Sequence, residues 1–277
     1  MHSKSGQVLL IIVMILATVV TIVMAVVFKS TTNTQLTKLE QESNKALVAA
    51  EAGLEKAMKK NVGIYGFSAD LGLSGYPGID LTNSNVDVAL EGDNKTFISP
   101  SIQTDGQYTF YMVGYDAFTQ TLGTDYFTGN IKIYFASDGG SCDGTRNLPA
   151  LEITFVKWDD TNYILEKKLI EECSGSGNYL TGTADIVNPN SSSGLGGAPF
   201  SYEADLGAVP ATTKLIIVRT LFAGTKIGLE STTGGVNLKP QGRMLTSQVK
   251  AYSGVEKKVQ LFQSYPQIIA DFFVTSF

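Results

Sequence analysis

The chain of 277 residues is poor in the residues on which many enzyme active sites depend. Its only histidine is His2. This excludes a Ser-His-Asp or Cys-His catalytic centre and a histidine-ligated zinc site from the remainder of the chain. The 26 acidic residues allow a glycosidase-like carboxylate pair, but no local motif distinguishes any of them from surface charge. We therefore expect a protein that is not an enzyme, uses no cofactor and holds no metal.

A concentration of positive charge is also missing. The net charge is −5 and the isoelectric point is about 5.0. The basic residues are scattered, and the pairs Lys167-Lys168 and Lys257-Lys258 are explained by exposed faces of strands. Nucleic-acid-binding proteins carry a clustered basic surface. The composition therefore predicts no nucleic-acid partner.

Residues 8–28, VLLIIVMILATVVTIVMAVVF, form a long apolar run without any charge, Pro or Gly. At about 1.5 Å per residue, a helix of this length covers about 30 Å, the hydrocarbon core of a bilayer. A buried helix of a soluble protein is the alternative, but such a helix rarely continues this far without a polar face. We predict a membrane-spanning helix in which Thr18 and Thr21 bond to the helix's own carbonyls.

The residues before this run, MHSKSG, form a short polar head that carries Lys4 and ends in Gly6. An ordinary secretory signal has about 7–15 apolar residues and an A-x-A-like exit, and neither is present. Head, glycine and apolar helix together resemble the class III leader of type IV prepilins and pseudopilins. The resemblance implies that a prepilin peptidase cuts between Gly6 and Gln7, leaving Gln7 as the N-methylated first residue and Lys4 on the cytoplasmic side.

One position departs from the pattern of that family. Pilins usually carry Glu as the fifth mature residue, where it pairs with the N-terminal amine of a neighbouring subunit. Counted from Gln7, the fifth residue is Ile11, and no acidic residue occurs before Glu40. The sequence therefore suits a minor or tip subunit better than a bulk filament subunit, and it leaves room for a protein that is never cut.

Beyond Phe28 the chain becomes polar without a helix breaker until Lys60. Residues spaced alternately by three and four predict one helical face; they are Leu36, Leu39, Ser43, Leu47, Ala50, Leu54 and Ala57. A coiled-coil dimer is one interpretation, and a half-buried stalk on a sheet is the one we favour. The Thr-rich stretch 30–34 is the weakest helical part, where the helix could bend or melt.

The stretch ALVAAEAGLEKAM resembles the end of the N-terminal helix in PilX-type minor pilins. Ala49, Ala50, Gly53 and Leu54 match the small-residue run that closes that helix. Small residues allow a backbone to approach its neighbour closely, so the resemblance implies a packing role for these four residues rather than a chemical one.

The only two cysteines, Cys142 and Cys173, both follow the apolar run. On the extracytoplasmic side of a membrane an even pair suggests one disulfide, which would contribute about 3–4 kcal/mol by constraining the unfolded chain. Two unpaired thiols are the alternative. Near the first cysteine, Asp138 and Asp143 lie in a Gly-rich stretch, where we favour an Asx-stabilised turn over a calcium loop because the EF-hand pattern is absent.

Segments rich in β-branched and aromatic residues dominate the rest of the chain. Four of them, 107–115, 130–137, 150–158 and 163–172, favour an antiparallel meander whose last turn is Asp159–Asn162. The apolar run 211–222 predicts a buried central strand. Residues 244–254 and 255–265 predict a hairpin around Gly254.

These patterns predict an α+β protein: a long pilin-like N-terminal helix, membrane-spanning in its first half and packed on antiparallel β-sheet, with an additional β-rich C-terminal portion. The expected segments are a leader (1–6), a transmembrane and stalk helix (7–60), a pilin-like β-domain (61–173), a Gly/Ser-rich connector (174–202) and a β-rich portion (203–277).

By resemblance, we expect a minor pilin or pseudopilin, a subunit of a type IV pilus or type II secretion-like filament, acting in assembly or adhesion. Its partners would be other pilin subunits, a prepilin peptidase, an inner-membrane assembly platform and the membrane. It would lie in the inner membrane with its bulk outside the cytoplasm, and at the cell surface or in the periplasm within a filament. The alternatives are a membrane-tethered extracytoplasmic binding protein and an anchored enzyme that uses carboxylates.

Overall fold

The computed structural model describes residues 5–91, 95–136, 148–171, 185–187 and 189–268. They form an α+β protein with one long N-terminal helix and a large, mainly antiparallel β region. The chain divides into two compact units. The first unit comprises residues 1–58, 64–87 and 246–260, and the second comprises residues 59–63, 88–245 and 261–277.

Helix α1 runs without interruption from Ser5 to Ala57 over 53 residues, which corresponds to about 80 Å at about 1.5 Å per residue. The helix does not melt in the Thr-rich stretch 30–34, which the sequence marks as its weakest part. The hydroxyls of Thr31, Thr32 and Thr34 each donate a hydrogen bond of 2.9 Å to the carbonyl four residues earlier. Because these polar side chains bond back to the helix itself, they do not interrupt its backbone ladder.

Sixteen strands lie in the described part of the chain. The first eight are β1 (Gly63–Gly66), β2 (Asn85–Glu91), β3 (Thr96–Ile98), β4 (Gln107–Tyr111), β5 (Val113–Asp116), β6 (Thr121–Tyr126), β7 (Asn130–Phe135) and β8 (Ala150–Trp158). The others are β9 (Tyr163–Ile170), β10 (Asp185–Val187), β11 (Asn190–Ser191), β12 (Tyr202–Ala208), β13 (Thr213–Leu221), β14 (Gly228–Ser231), β15 (Gly242–Lys250) and β16 (Glu256–Ser264). A short 3-10 helix spans Leu81–Asn83.

The described strands form four sheets. Their orders are β1-β2-β15-β16, β10-β9-β8-β13-β4, β11-β12-β7-β14-β3 and β5-β6. The two five-stranded sheets belong to the second unit and contribute their inward side chains to one hydrophobic cluster. Representative members are Phe110, Ile153, Phe155 and Ile216 from one sheet, and Phe97, Ile131, Ile133 and Leu229 from the other. The second unit is therefore built as two layers of sheet around an apolar core.

The predicted buried central strand is confirmed as β13, which lies between β8 and β4 and pairs antiparallel with both. The turn at Asp159–Asn162 is also confirmed, since it joins β8 to β9 in an antiparallel pair. Its Asp159 carboxylate accepts hydrogen bonds from the N–H groups of Thr161 and Asn162 at 3.0 and 2.6 Å. These bonds hold the pKa of Asp159 below its usual value.

The predicted four-strand meander is wrong. β7 pairs with β12 and β14 in one sheet, whereas β8 pairs with β9 and β13 in another. The alternation of side chains shows which residues face a core, but it does not identify the neighbouring strand.

The hairpin around Gly254 is confirmed, because β15 and β16 are adjacent in their sheet. Within the turn, the N–H of Ala251 donates to the carbonyl of Val255 at 2.8 Å, and the N–H of Gly254 donates to the carbonyl of Ala251 at 2.9 Å. Gly254 has a φ of 91°, a conformation that glycine adopts without strain.

Candidate functional site

The apolar part of helix α1 is exposed on every side. Between Leu9 and Phe28, the large apolar side chains are between 48% exposed, at Val20, and 76% exposed, at Phe28. Among the described residues, one helix is long and apolar enough to cross a membrane, and it is this one. Soluble proteins rarely present so large a continuous apolar surface to water. The helix can therefore serve as a single-pass membrane anchor.

The two polar residues of this segment are satisfied within it. The hydroxyl of Thr18 donates to the carbonyl of Ile15 at 2.8 Å, and that of Thr21 donates to the carbonyl of Ala17 at 2.7 Å. This confirms the expectation for both threonines. Since lipid offers no hydrogen-bond partners, such internal bonds are what a membrane-spanning helix requires.

The expected processing site lies at the start of the helix. Helix α1 begins at Ser5, so Gly6 and Gln7 belong to its first turn, whereas Lys4 falls outside the described residues. Ile11, the fifth residue counted from Gln7, is 53% exposed within the apolar surface. That position therefore carries an exposed apolar side chain and no carboxylate.

The last three turns of the helix have a different character, because one face is buried. Its members are Ala46, Ala49, Ala50, Gly53, Leu54 and Ala57. They recur at the spacing of three and four residues that defines one side of a helix. The four residues singled out from the sequence, Ala49, Ala50, Gly53 and Leu54, all lie on this buried face.

The spacing of three and four residues predicted this face in part, because Ala50, Leu54 and Ala57 are buried as expected. Leu36, Leu39 and Leu47 are 56%, 49% and 39% exposed, respectively, although they belong to the predicted stripe. Small residues line the contact instead, and Ala46, which the leucine pattern omitted, is fully buried. A face of alanines lets a neighbouring element come closer to the helix axis than leucines would allow.

Gly53 is the closest point of this contact. A Cβ atom placed on Gly53 would lie 2.5 Å from Cζ of Phe67 and 3.0 Å from Oγ of Ser247. Phe67 and Ser247 are both fully buried, so neither can move aside at low cost. All three residues belong to the first unit. Glycine at this position is thus required by space rather than by backbone conformation.

The other candidate residues are two cysteines, two aspartates and Trp158. Cys142, Cys173, Asp138 and Asp143 lie outside the described residues. Trp158 is half-buried, with its ring 4.8 Å from that of Tyr163 and 5.6 Å from Nζ of Lys214, which is an arrangement of packing. Within the described ranges, no three His, Cys, Asp or Glu side chains come together in a group that could hold a metal ion.

Comparisons with protein-family models, with curated proteins and with solved structures found no match.

Proposed function

We propose that this chain is a minor pilin or pseudopilin, a structural subunit of a type IV pilus or a type II secretion-like filament that acts in assembly or adhesion. The observation that carries the proposal is the division of helix α1 into two parts. Over Leu9–Phe28 the helix exposes apolar side chains on all sides, while from Ala46 to Ala57 it buries one face of small residues. A helix of this kind can anchor a folded β region either to a bilayer or to a bundle of similar helices.

The proposed mechanism follows from the exposed apolar surface. After a prepilin peptidase removes residues 1–6, the helix stays in the inner membrane with the β region outside the cytoplasm. An inner-membrane assembly platform then moves it into a filament, where other pilin subunits replace lipid around the apolar segment. Lipid contact is exchanged for protein contact, so little apolar surface meets water at any step. The proposal assigns no catalytic activity to the chain.

A second candidate is a single-pass, membrane-tethered extracytoplasmic binding protein that is never cut or assembled. The observation that favours it is Ile11, since an apolar residue there cannot pair with the amine of a neighbouring subunit. The two candidates share the anchor and the β region, and they differ in the covalent state of the N-terminus.

The experiment that separates them is intact-mass spectrometry of the full chain extracted from the membranes of its native cells. The proposal expects a species that begins at Gln7 and is heavier by one methyl group. Gly6→Leu should block this processing because it changes the residue at the cut, whereas Ser5→Ala, one residue earlier, should leave it unchanged. A wild-type species that still carries MHSKSG, or lacks only Met1, contradicts the filament proposal and favours the tethered binding protein.

A further inference from the structure

A cleft of about 480 Å³ opens in the second unit. It is lined by Asn61, Val62, Leu90, Gly114, Tyr115, Asp116, Ala117, Phe118, Thr121, Gly123 and Arg243. Small-molecule sites in proteins typically measure about 300–1,000 Å³ and combine apolar walls with a few convergent polar groups. This cleft has the size and the mixed lining of such a site.

The β5–β6 ribbon contributes two glycines, Gly114 and Gly123, to the lining of the cleft. In the β5–β6 ribbon, Tyr115 pairs with Leu122, and both side chains pack onto a hydrophobic cluster. The register of this pair shifts between Val113 and Tyr115, so Gly114 lies at an irregular point of the ribbon. A Cβ placed on Gly114 would meet no atom within 4 Å, whereas one on Gly123 would lie 3.2 Å from the carbonyl oxygen of Gly114. The space beside Gly114 is therefore open, whereas the side-chain direction of Gly123 meets the neighbouring strand.

The walls of the cleft carry exposed apolar side chains. Phe118, Val62 and Leu90 are 69%, 54% and 49% exposed, respectively. The turn that bears Phe118 is held by Asp116, whose Oδ1 accepts hydrogen bonds from the N–H groups of Phe118 at 2.8 Å and Thr119 at 3.2 Å. An exposed aromatic ring therefore stands on a turn whose backbone is fixed.

The cleft also contains one group of each charge. The hydrogen bond from the Phe118 N–H, with that from Thr119, holds the pKa of Asp116 below its usual value, so its carboxylate is ionised at neutral pH. Arg243 is only 7% exposed; it donates from Nη1 to the carbonyl of Lys60 and from Nη2 to Oε1 of Gln263, both at 2.7 Å. These bonds fix its guanidinium in place. The formal charges of the cleft cancel, which disfavours a ligand of high charge of either sign.

We propose that this cleft binds a neutral saccharide of one or two rings. The C–H face of a sugar ring is flat and apolar, and it matches the ring of Phe118 and the open space beside Gly114. The edge of the same ring carries hydroxyls that both donate and accept hydrogen bonds. The Asp116 carboxylate accepts from them. The inference goes beyond the filament proposal and does not depend on leader cleavage or assembly.

The test is a calorimetric titration of the full chain, solubilised in a zwitterionic detergent without a sugar headgroup, with maltose, cellobiose, lactose and chitobiose. We expect at least one of these disaccharides to bind with a Kd of about 1 mM or tighter. Gly114→Val should abolish that binding, because a Cβ at this position meets no atom within 4 Å and the added side chain would occupy the open space of the cleft. Phe118→Ala should weaken it about tenfold through the lost ring contact.

Two further variants separate ligand contact from structural damage. Asp116→Asn keeps the side-chain oxygen that holds the turn but removes the charge, so it should weaken binding while leaving the melting temperature unchanged. Gly234→Val is the matched control, since a Cβ there also meets no atom within 4 Å and the residue does not line the cleft; it should bind like the wild type. Absence of heat with all four disaccharides overturns the proposal. Binding that survives Gly114→Val also overturns it.

Discussion

The side chain of Gln241 hydrogen-bonds both backbone groups of Tyr111. The N–H of Tyr111 donates to Oε1 of Gln241 at 2.8 Å, and Nε2 of Gln241 donates to the carbonyl of Tyr111 at 2.8 Å. Tyr111 ends β4, the last strand of its five-stranded sheet. The amide of Gln241, which is only 1% exposed, therefore takes the place of a neighbouring strand at this sheet edge.

Gln241→Leu should lower the free energy of unfolding by about 2–4 kcal/mol, because it leaves two buried backbone groups of Tyr111 without their partners. Urea unfolding of the detergent-solubilised chain measures this free energy. The fluorescence of Trp158, the single tryptophan, reports on the second unit, which also contains Tyr111 and Gln241. Gln103→Leu, at an exposed position, is the control and should change the value by less than about 0.5 kcal/mol. Equal stabilities of the two variants would show that water replaces the Gln241 amide.

Gly53→Ala should destabilise the helix contact even though alanine is the better helix former. Alanine gains about 1 kcal/mol in helix propensity, but its Cβ would lie 2.5 Å from Cζ of the buried Phe67, and such overpacking costs about 1–3 kcal/mol. Hydrogen exchange of residues 46–57, measured by mass spectrometry on the full chain, should become faster. Adding Phe67→Leu should restore part of the protection, because the two sites are coupled through this contact.

The control for this prediction is Gly75→Ala, where a Cβ meets no atom within 4 Å. This variant should leave the exchange of the helix unchanged. Slower exchange in Gly53→Ala would mean that helix propensity outweighs the contact with Phe67.

The sequence predicts those features that depend on local chemistry. The apolar segment of α1 is recognisable because it lacks charge over a length that matches a bilayer, and the Asp159 turn because a carboxylate can bond its own backbone. The pairing of β13 with β8 and β4 is not recognisable in this way, since it joins segments far apart in the chain. Many strands alternate in a way that would allow them to pair with β13. Which of them do so depends on how their side chains pack together in the folded core.

The buried face of helix α1 and the cleft both contain small residues that a sequence pattern does not identify. Leu36 and Leu39 have the spacing of a buried stripe, but the contact is made by Ala46 and Gly53 because the neighbouring element approaches the backbone closely. A hydrophobicity pattern gives alanine and glycine little weight, so it finds Ala50, Leu54 and Ala57 of the buried face but omits Ala46 and Gly53. The cleft is harder still to predict. Gly114 leaves open space because it has no side chain, and a single glycine in a sequence does not indicate a cleft.

Tyr265 should make stability fall at alkaline pH. Burial raises the pKa of Tyr265 to about 12, while a tyrosine in an unfolded chain titrates near pH ~10. Below pH ~10 both states keep the proton and stability does not depend on this group. Between pH ~10 and 12 the unfolded chain releases the proton while the folded chain retains it, so the free energy of unfolding decreases as pH rises.

Tyr265→Phe should make this decrease shallower, because the variant keeps the aromatic ring and loses the ionisable hydroxyl. Urea titrations monitored by Trp158 fluorescence between pH ~9 and 12 provide the measurement. Tyr252→Phe is the matched control, since Tyr252 is 76% exposed, and it should keep the wild-type slope. An unchanged slope in Tyr265→Phe would place the alkaline sensitivity in other groups.

The apolar segment of helix α1 should retain the chain in membranes after alkaline carbonate extraction, and charge at its centre should abolish this. Val19 and Val20 lie near the middle of the exposed apolar surface, and each arginine placed at the centre of a spanning helix costs about 2.5–3.5 kcal/mol. The double variant Val19→Arg/Val20→Arg should therefore lose most of its membrane retention. Thr34→Arg/Thr37→Arg adds the same charge to the same helix beyond the apolar segment and should be retained like the wild type. Retention of both variants would mean that the chain is held at the membrane by something other than this segment, because the two differ only in where the charge meets the bilayer.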